Sequence, residues 1–240
     1  LLPIAILAGS ARAALVIVND IVLHADGGFQ PQQLPRRQFA PIRFQGYFDI
    51  SAKGGGKPVV LEEAVIDFDR DGRLSSGGLP VCAPAQVAEL DTTRARQACP
   101  NAIVGSGRVE ATIDVPDGSV PVSSPLTIFN GPPENGHPTV VLHSHTTFPA
   151  TETLAILVPV ERRRGEFRYR AVLEIPPIAG GRGAITRVEA RVGRRFNAGG
   201  KRRSYVSAHC SDGILRTHGR FTFADGTIVD GAVEKACTPR

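Results

Sequence analysis

The sequence predicts an all-β chain, an antiparallel β-sandwich of jelly-roll or Greek-key type, and three observations carry that prediction. Apolar and polar residues alternate at period two over most of the length, 26 glycines and 19 prolines are scattered rather than clustered, and Asx-Gly pairs recur between the alternating runs. Successive side chains of a strand point to opposite faces, so an apolar residue at every second position marks half-buried antiparallel sheet. Asx-Gly supplies the positive φ that tight hairpins need. Many short strands so punctuated indicate a sandwich or barrel.

The first thirteen residues read differently. An apolar run from Leu1 to Ala8 leads into Ala11-Arg-Ala13, the small-x-small pattern after which a signal peptidase cuts. Residues 1–13 are therefore expected to be a signal-peptide remnant and 14–240 a single β-sandwich domain, secreted or held in the periplasm or cell envelope. A membrane anchor needs about 20 apolar residues, and Gly9, Ser10 and Arg12 end this run too early. No transmembrane span is expected.

Strands are predicted near 15–23, 42–51, 59–69, 103–115, 120–129, 138–147, 153–161, 166–175, 184–196, 202–209, 214–224 and 227–236. Three show the alternation best. Val109, Ala111 and Ile113 oppose Arg108, Glu110 and Thr112; Tyr169, Ala171 and Leu173 oppose Arg168, Arg170 and Val172; Val188, Ala190 and Val192 oppose Arg187, Glu189 and Arg191. Asp26-Gly27-Gly28 reads as a turn and Val104-Gly-Ser-Gly107 as a bend entering a strand. Phe221-Thr-Phe-Ala-Asp-Gly-Thr-Ile-Val229 reads as a hairpin. One helical island interrupts the strands. Pro84 suits a first helical turn, and Asp91-Thr-Thr93 looks like a cap for a second short helix ending at Ala98.

Four cysteines, an even number in an exported chain, point to two disulfides. Three pairings are formally open, and the favoured one joins Cys82 to Cys99, around the helical insertion, and Cys210 to Cys237. Zinc is disfavoured because no C-x2-C spacing is present.

The formal charge of +5 is uneven: Glu161 to Arg203 holds 13 Lys or Arg against four Glu. Arginines on the wet faces of strands suit an anionic partner, such as a phosphate-bearing envelope polymer or lipid head groups. The candidates are Arg162, Arg163, Arg164, Arg168 and Arg170 in one run, then Arg191, Arg194, Arg195, Lys201, Arg202 and Arg203 in another. Nucleic acid is not expected, for no stacking motif accompanies the charge.

Two constellations suggest metal. Asp67-Phe-Asp-Arg-Asp-Gly-Arg-Leu74 matches the first eight positions of an EF-hand loop, with Asp67, Asp69 and Asp71 as oxygen donors, but Gly78 stands where the twelfth-position carboxylate belongs. The alternative is a strand entering an Asp-Gly turn. His143-Ser-His145 puts two imidazoles on one side of a strand, with His137 near across the preceding loop, as in cupin-type metal sites. Nucleophilic catalysis has no support, since the chain lacks a G-x-S-x-G elbow and its cysteines suit bridges. No cofactor is expected, and the chain reads as a binding protein rather than an enzyme.

Gly78-Leu-Pro-Val-Cys82, Ala98-Cys-Pro-Asn-Ala-Ile-Val-Gly-Ser-Gly107, Ile128-Phe-Asn-Gly131, Ile175-Pro-Pro-Ile-Ala-Gly-Gly181, Lys201-Arg-Arg-Ser-Tyr205, Cys210-Ser-Asp-Gly213, Phe223-Ala-Asp-Gly226 and Cys237 together resemble an uncharacterised family of exported proteins of high-GC bacteria. The resemblance spans about residues 60 to 240 and implies secretion and a β-rich fold. The expectation is thus an exported, non-catalytic protein binding an anionic envelope component. Its alternatives are a metal-dependent enzyme or metal-binding domain built on His143 and His145, and a structural module docking onto another exported protein.

Overall fold

A computed structural model describes residues 12–240, so the expected signal segment lies outside the described residues except for Arg12 and Ala13. Twelve strands make the main sheet: β1 Ala14–Val18, β2 Ile21–Gln30, β3 Arg43–Ala52, β4 Leu61–Asp69, β5 Ile103–Val115, β6 Gly118–Asn130, β7 Thr139–Thr146, β8 Glu152–Arg162, β9 Phe167–Glu174, β10 Gly183–Val192, β11 Ile214–Phe223 and β12 Ile228–Ala236. Their spatial order is β1-β2-β3-β10-β5-β6-β7-β8-β9-β4-β11-β12, with neighbours antiparallel throughout.

The two ends of this order meet. Arg12, just before β1, exchanges backbone hydrogen bonds with Glu234 of β12, at 2.8 and 3.0 Å. At the opposite corner β8 changes partner partway along, pairing with β7 over Glu152–Pro159 and with β9 over Val160–Arg162. The all-β class is therefore correct, whereas the expected two-layer sandwich is replaced by one sheet rolled nearly into a barrel. Alternation specifies which face is buried and is identical in both arrangements; the long β8 and the Arg12–Glu234 bridge decide between them.

Inside the roll, Ile21 and Leu23 of β2, Ile50 of β3, Ala64 of β4, Phe221 of β11 and Val229 of β12 form one cluster. Leu126 and Ile128 of β6, with Val104 and Tyr205, form a second. Fully burying such side chains contributes about 1.5–3 kcal/mol each. A third cluster lies on the outer face. Phe129 and Val141 are cross-strand partners pointing away from Ile128 and Leu142, and the 82–99 excursion covers them with Cys82, Val87, Ala95 and Cys99. This excursion holds a single turn at Pro84–Gln86 and helix α1, Thr92–Ala98, whose N-cap Asp91 accepts a hydrogen bond from the Arg94 amide. Its ends are joined by the Cys82–Cys99 disulfide, while Cys210–Cys237 ties the entry of β11 to the exit of β12.

Two local readings are corrected. The single strand predicted at 15–23 is a hairpin, turning at Asn19-Asp20 with Asn19 at φ 55°. Asp26-Gly27-Gly28 is no turn but the middle of β2, where a Cβ on Gly27 would lie 2.7 Å from the Gln45 carbonyl oxygen. Glycine serves close strand approach there, a use the sequence cannot distinguish from a turn.

One outward-facing row of the sheet is charged, while Leu15, Ile17 and Ile228 are exposed elsewhere on it. His24, Asp49, Arg187 and Glu110 follow one another across β2, β3, β10 and β5, the reverse of a lipid-facing barrel wall. No helix among the described residues is long and apolar enough to cross a membrane.

Candidate anion-binding site

The outer face of β2, β3, β10 and β5 is built in rows set by strand register. In the His24–Asp49–Arg187–Glu110 row every charge has a neighbour of opposite sign. Arg187 hydrogen-bonds Asp49 and lies over the Tyr47 ring at 4.4 Å, and His24 Nδ1 is 3.6 Å from the same carboxylate.

Four residues further along the strands the balance changes. Gln45, Arg191 and Ser106 stand side by side, and Arg43 follows at the end of β3. Here a surface groove of about 430 Å³ opens, lined by Arg43, Arg96, Arg191 and Arg194 with Gln30, Gln45 and Ser106, and no carboxylate lines it. That volume falls in the range of small-ligand sites. Arg96 reaches the groove from the last turn of α1. Arg194 donates from Nη1 to the Ile103 carbonyl at 2.6 Å, which holds its guanidinium in place without cancelling its charge. Arg191 pairs with Glu189 at 2.8 Å at the rim.

Close strand approach shapes the floor. A Cβ on Gly105 would stand 2.4 Å from the Arg191 carbonyl oxygen, and one on Gly107 only 1.8 Å from that of Glu189. Val104 to Gly107 is thus strand, and its glycines let β5 press against β10. A second groove, of about 530 Å³, adjoins the first and shares Gln30 and Gln45 with it. Its far end carries Lys235, which pairs with Asp26 at 2.6 Å.

The eleven basic residues singled out from the sequence divide. Arg191 and Arg194 line the groove. Arg170 is bound to Asp67, while Arg168 donates to the Arg70 carbonyl at 2.6 Å and lies over Phe39. Arg163 sits 3.9 Å from Glu161, and Arg162 and Arg164 are exposed beside it. Arg195, Lys201, Arg202 and Arg203 are exposed on a hairpin formed by Arg195–Ala198 and Lys201–Ser204. Arg43 and Arg96 escaped sequence reasoning because neither lies in a basic run; only the register of β3 and the placement of α1 bring them to the site.

The aspartates have other occupations. Asp69 accepts the Asp71 amide at 2.8 Å and the Arg216 amide at 2.8 Å, and Asp71 accepts the Ser211 amide at 2.7 Å with His209 Nδ1 at 3.3 Å. Burial raises the Asp69 pKa above the ordinary carboxylate value, against the lowering by its two amide donors. The three carboxylates fasten strands and loops to one another. His143 lies fully buried beneath the helical excursion with Nε2 2.9 Å from the Leu90 carbonyl, His145 Nδ1 is 2.7 Å from Thr153 Oγ1, and His137 closes a turn with Glu134. Desolvation lowers the His143 pKa. Among the described residues no three His, Cys, Asp or Glu side chains are grouped to hold a metal ion. No family model, curated protein or solved structure significantly matches the chain.

Proposed function

We propose that the protein is an exported, non-catalytic binding protein that holds an anionic component of the cell envelope against its arginine-rich outer face. The observation that carries this reading is the groove lined by four arginines and no carboxylate. Charges of one sign in a concave site concentrate counter-ions of the other, and arginine presents a planar fork matched to phosphate. Two disulfides and the small-x-small sequence ending at Ala13 support export. A cut after Ala13 leaves β1 whole and, among the described residues, removes the Arg12 bridge.

Retention on a phosphate-bearing resin tests the reading. The protein elutes progressively earlier as salt rises, and the double variant Arg43→Gln, Arg96→Gln elutes earlier than wild type. Salt-insensitive elution, or co-elution of variant and wild type, overturns it.

A further inference from the structure

Resting on that reading, we infer that the ligand is a linear polymer in which phosphates alternate with hydroxylated units, lying along both grooves at once rather than a single anion in one. Three observations converge on this. The two grooves share Gln30 and Gln45, so they lie side by side, with one pair of amides serving both. From β2 to β5 that face spans three inter-strand spacings, on the order of 14 Å, which is longer than one phosphate ester. The lining also changes chemistry along its length. Four arginines line one end, whereas Gln30, Gln32, Gln45, Gly27 and Gly28 line the rest up to Lys235.

Neutral amides and exposed peptide groups hydrogen-bond hydroxyls, and guanidiniums take phosphate oxygens in pairs. Lys235 at the far end is already matched by Asp26, so the second phosphate meets a partly neutralised cation and the gain from it is moderate. The register holds the two chemistries in line. Gly28 and Gln45 are cross-strand partners, as are Gln45 and Arg191, so a neutral stretch runs directly into a cationic one across adjacent strands of one wall.

Titration calorimetry with glycerol phosphate, a linear six-unit poly(glycerol phosphate), vesicles containing phosphatidylglycerol and a single-stranded RNA of equal charge tests the inference. The six-unit chain is expected to bind about tenfold more tightly per phosphate than the monomer, the gain expected when a second contact becomes intramolecular. Gly28→Glu, at a position where a Cβ meets no atom within 4 Å, places a carboxylate in the second groove. It should abolish the chain-length gain, weakening the six-unit chain far more than the monomer, with Gln32→Ala giving a weaker effect of the same sign. Arg43→Gln with Arg96→Gln should weaken both ligands about tenfold. Equal affinity per phosphate for monomer and chain overturns the polymer while leaving the anion reading intact; no binding by any phosphate probe overturns the anion reading itself. Vesicles or RNA binding more tightly than the six-unit chain overturn the polymer in favour of a head group or a nucleic acid.

Discussion

Arg170 grips Asp67 through two parallel hydrogen bonds, Nε to Oδ1 at 2.8 Å and Nη2 to Oδ2 at 2.7 Å, across the β9–β4 pairing. The Asp67 side chain is only 6% exposed, while Arg170 is 34% exposed. Removing the guanidinium strands a nearly buried carboxylate, which is more damaging than losing the pair together. Arg170→Ala should therefore cost about 2–3 kcal/mol in urea denaturation, and adding Asp67→Ala should restore part of it. A double variant whose loss equals the sum of the two single losses would show that the pair is not coupled.

Gly107 faces the Glu189 carbonyl so closely that any side chain must move backbone. Gly107→Ala should destabilise by about 1–3 kcal/mol or more, read as a lower denaturation midpoint. Gly28→Ala, where the added carbon meets open space, should stay within about 0.5 kcal/mol of wild type. Equal behaviour of the two would refute the close approach of β5 and β10.

Each disulfide closes a loop, across sequence separations of 17 and 27. In the chain-entropy account, replacing either pair by serines should cost about 3–4 kcal/mol. The Cys82, Cys99 double-serine variant should also loosen the cover over Phe129 and Val141, seen as faster amide exchange in β6 and β7. Unchanged exchange there would show that the excursion docks without its bridge.

His143 makes stability depend on pH. Burial lowers its pKa in the folded chain below the unfolded value of about 6.5, so the unfolded chain binds the proton more readily. The stabilisation is whole above about pH 6.5 and is lost on acidification, with a slope of up to about 1.4 kcal/mol per pH unit between the unfolded and folded pKa values. His143→Gln should flatten this slope below about pH 6.5, and a variant as pH-sensitive as wild type would assign the effect elsewhere.

Strand positions were legible because the period of two survives nearly everywhere: β5, β9 and β10 lie where Val109, Tyr169 and Val188 begin their alternations. The pairing of cysteines followed from the segments they enclose. The groove was not legible. Arg43 and Arg191 are brought together by β3 and β10 lying side by side, strands more than a hundred positions apart in the chain, and Arg96 arrives on a helix whose docking depends on Phe129 and Val141 facing outward. Alternation reports that Phe129 differs in face from Ile128, but not that both faces of β6 are covered. The EF-hand-like aspartates show the converse limit, because the same spacing that suits a cation also lets carboxylates hold the amides of Asp71, Ser211 and Arg216.

Because a Cβ on Gly231 of β12 would stand 3.2 Å from the Ala14 side chain and 3.7 Å from that of Val16, both in β1, the earliest and latest strands of the described chain depend on each other. A polypeptide that folds as it emerges, amino end first, would keep β1 waiting, its outer edge unsatisfied, until nearly every other strand had emerged. Such delayed long-range pairing is slow and leaves sticky borders open to neighbours. Folding of this protein should therefore be sensitive to whatever shields nascent edges, and a circular permutant that links Arg240 to Ala14 and opens the Asp225–Gly226 turn should complete its wall sooner.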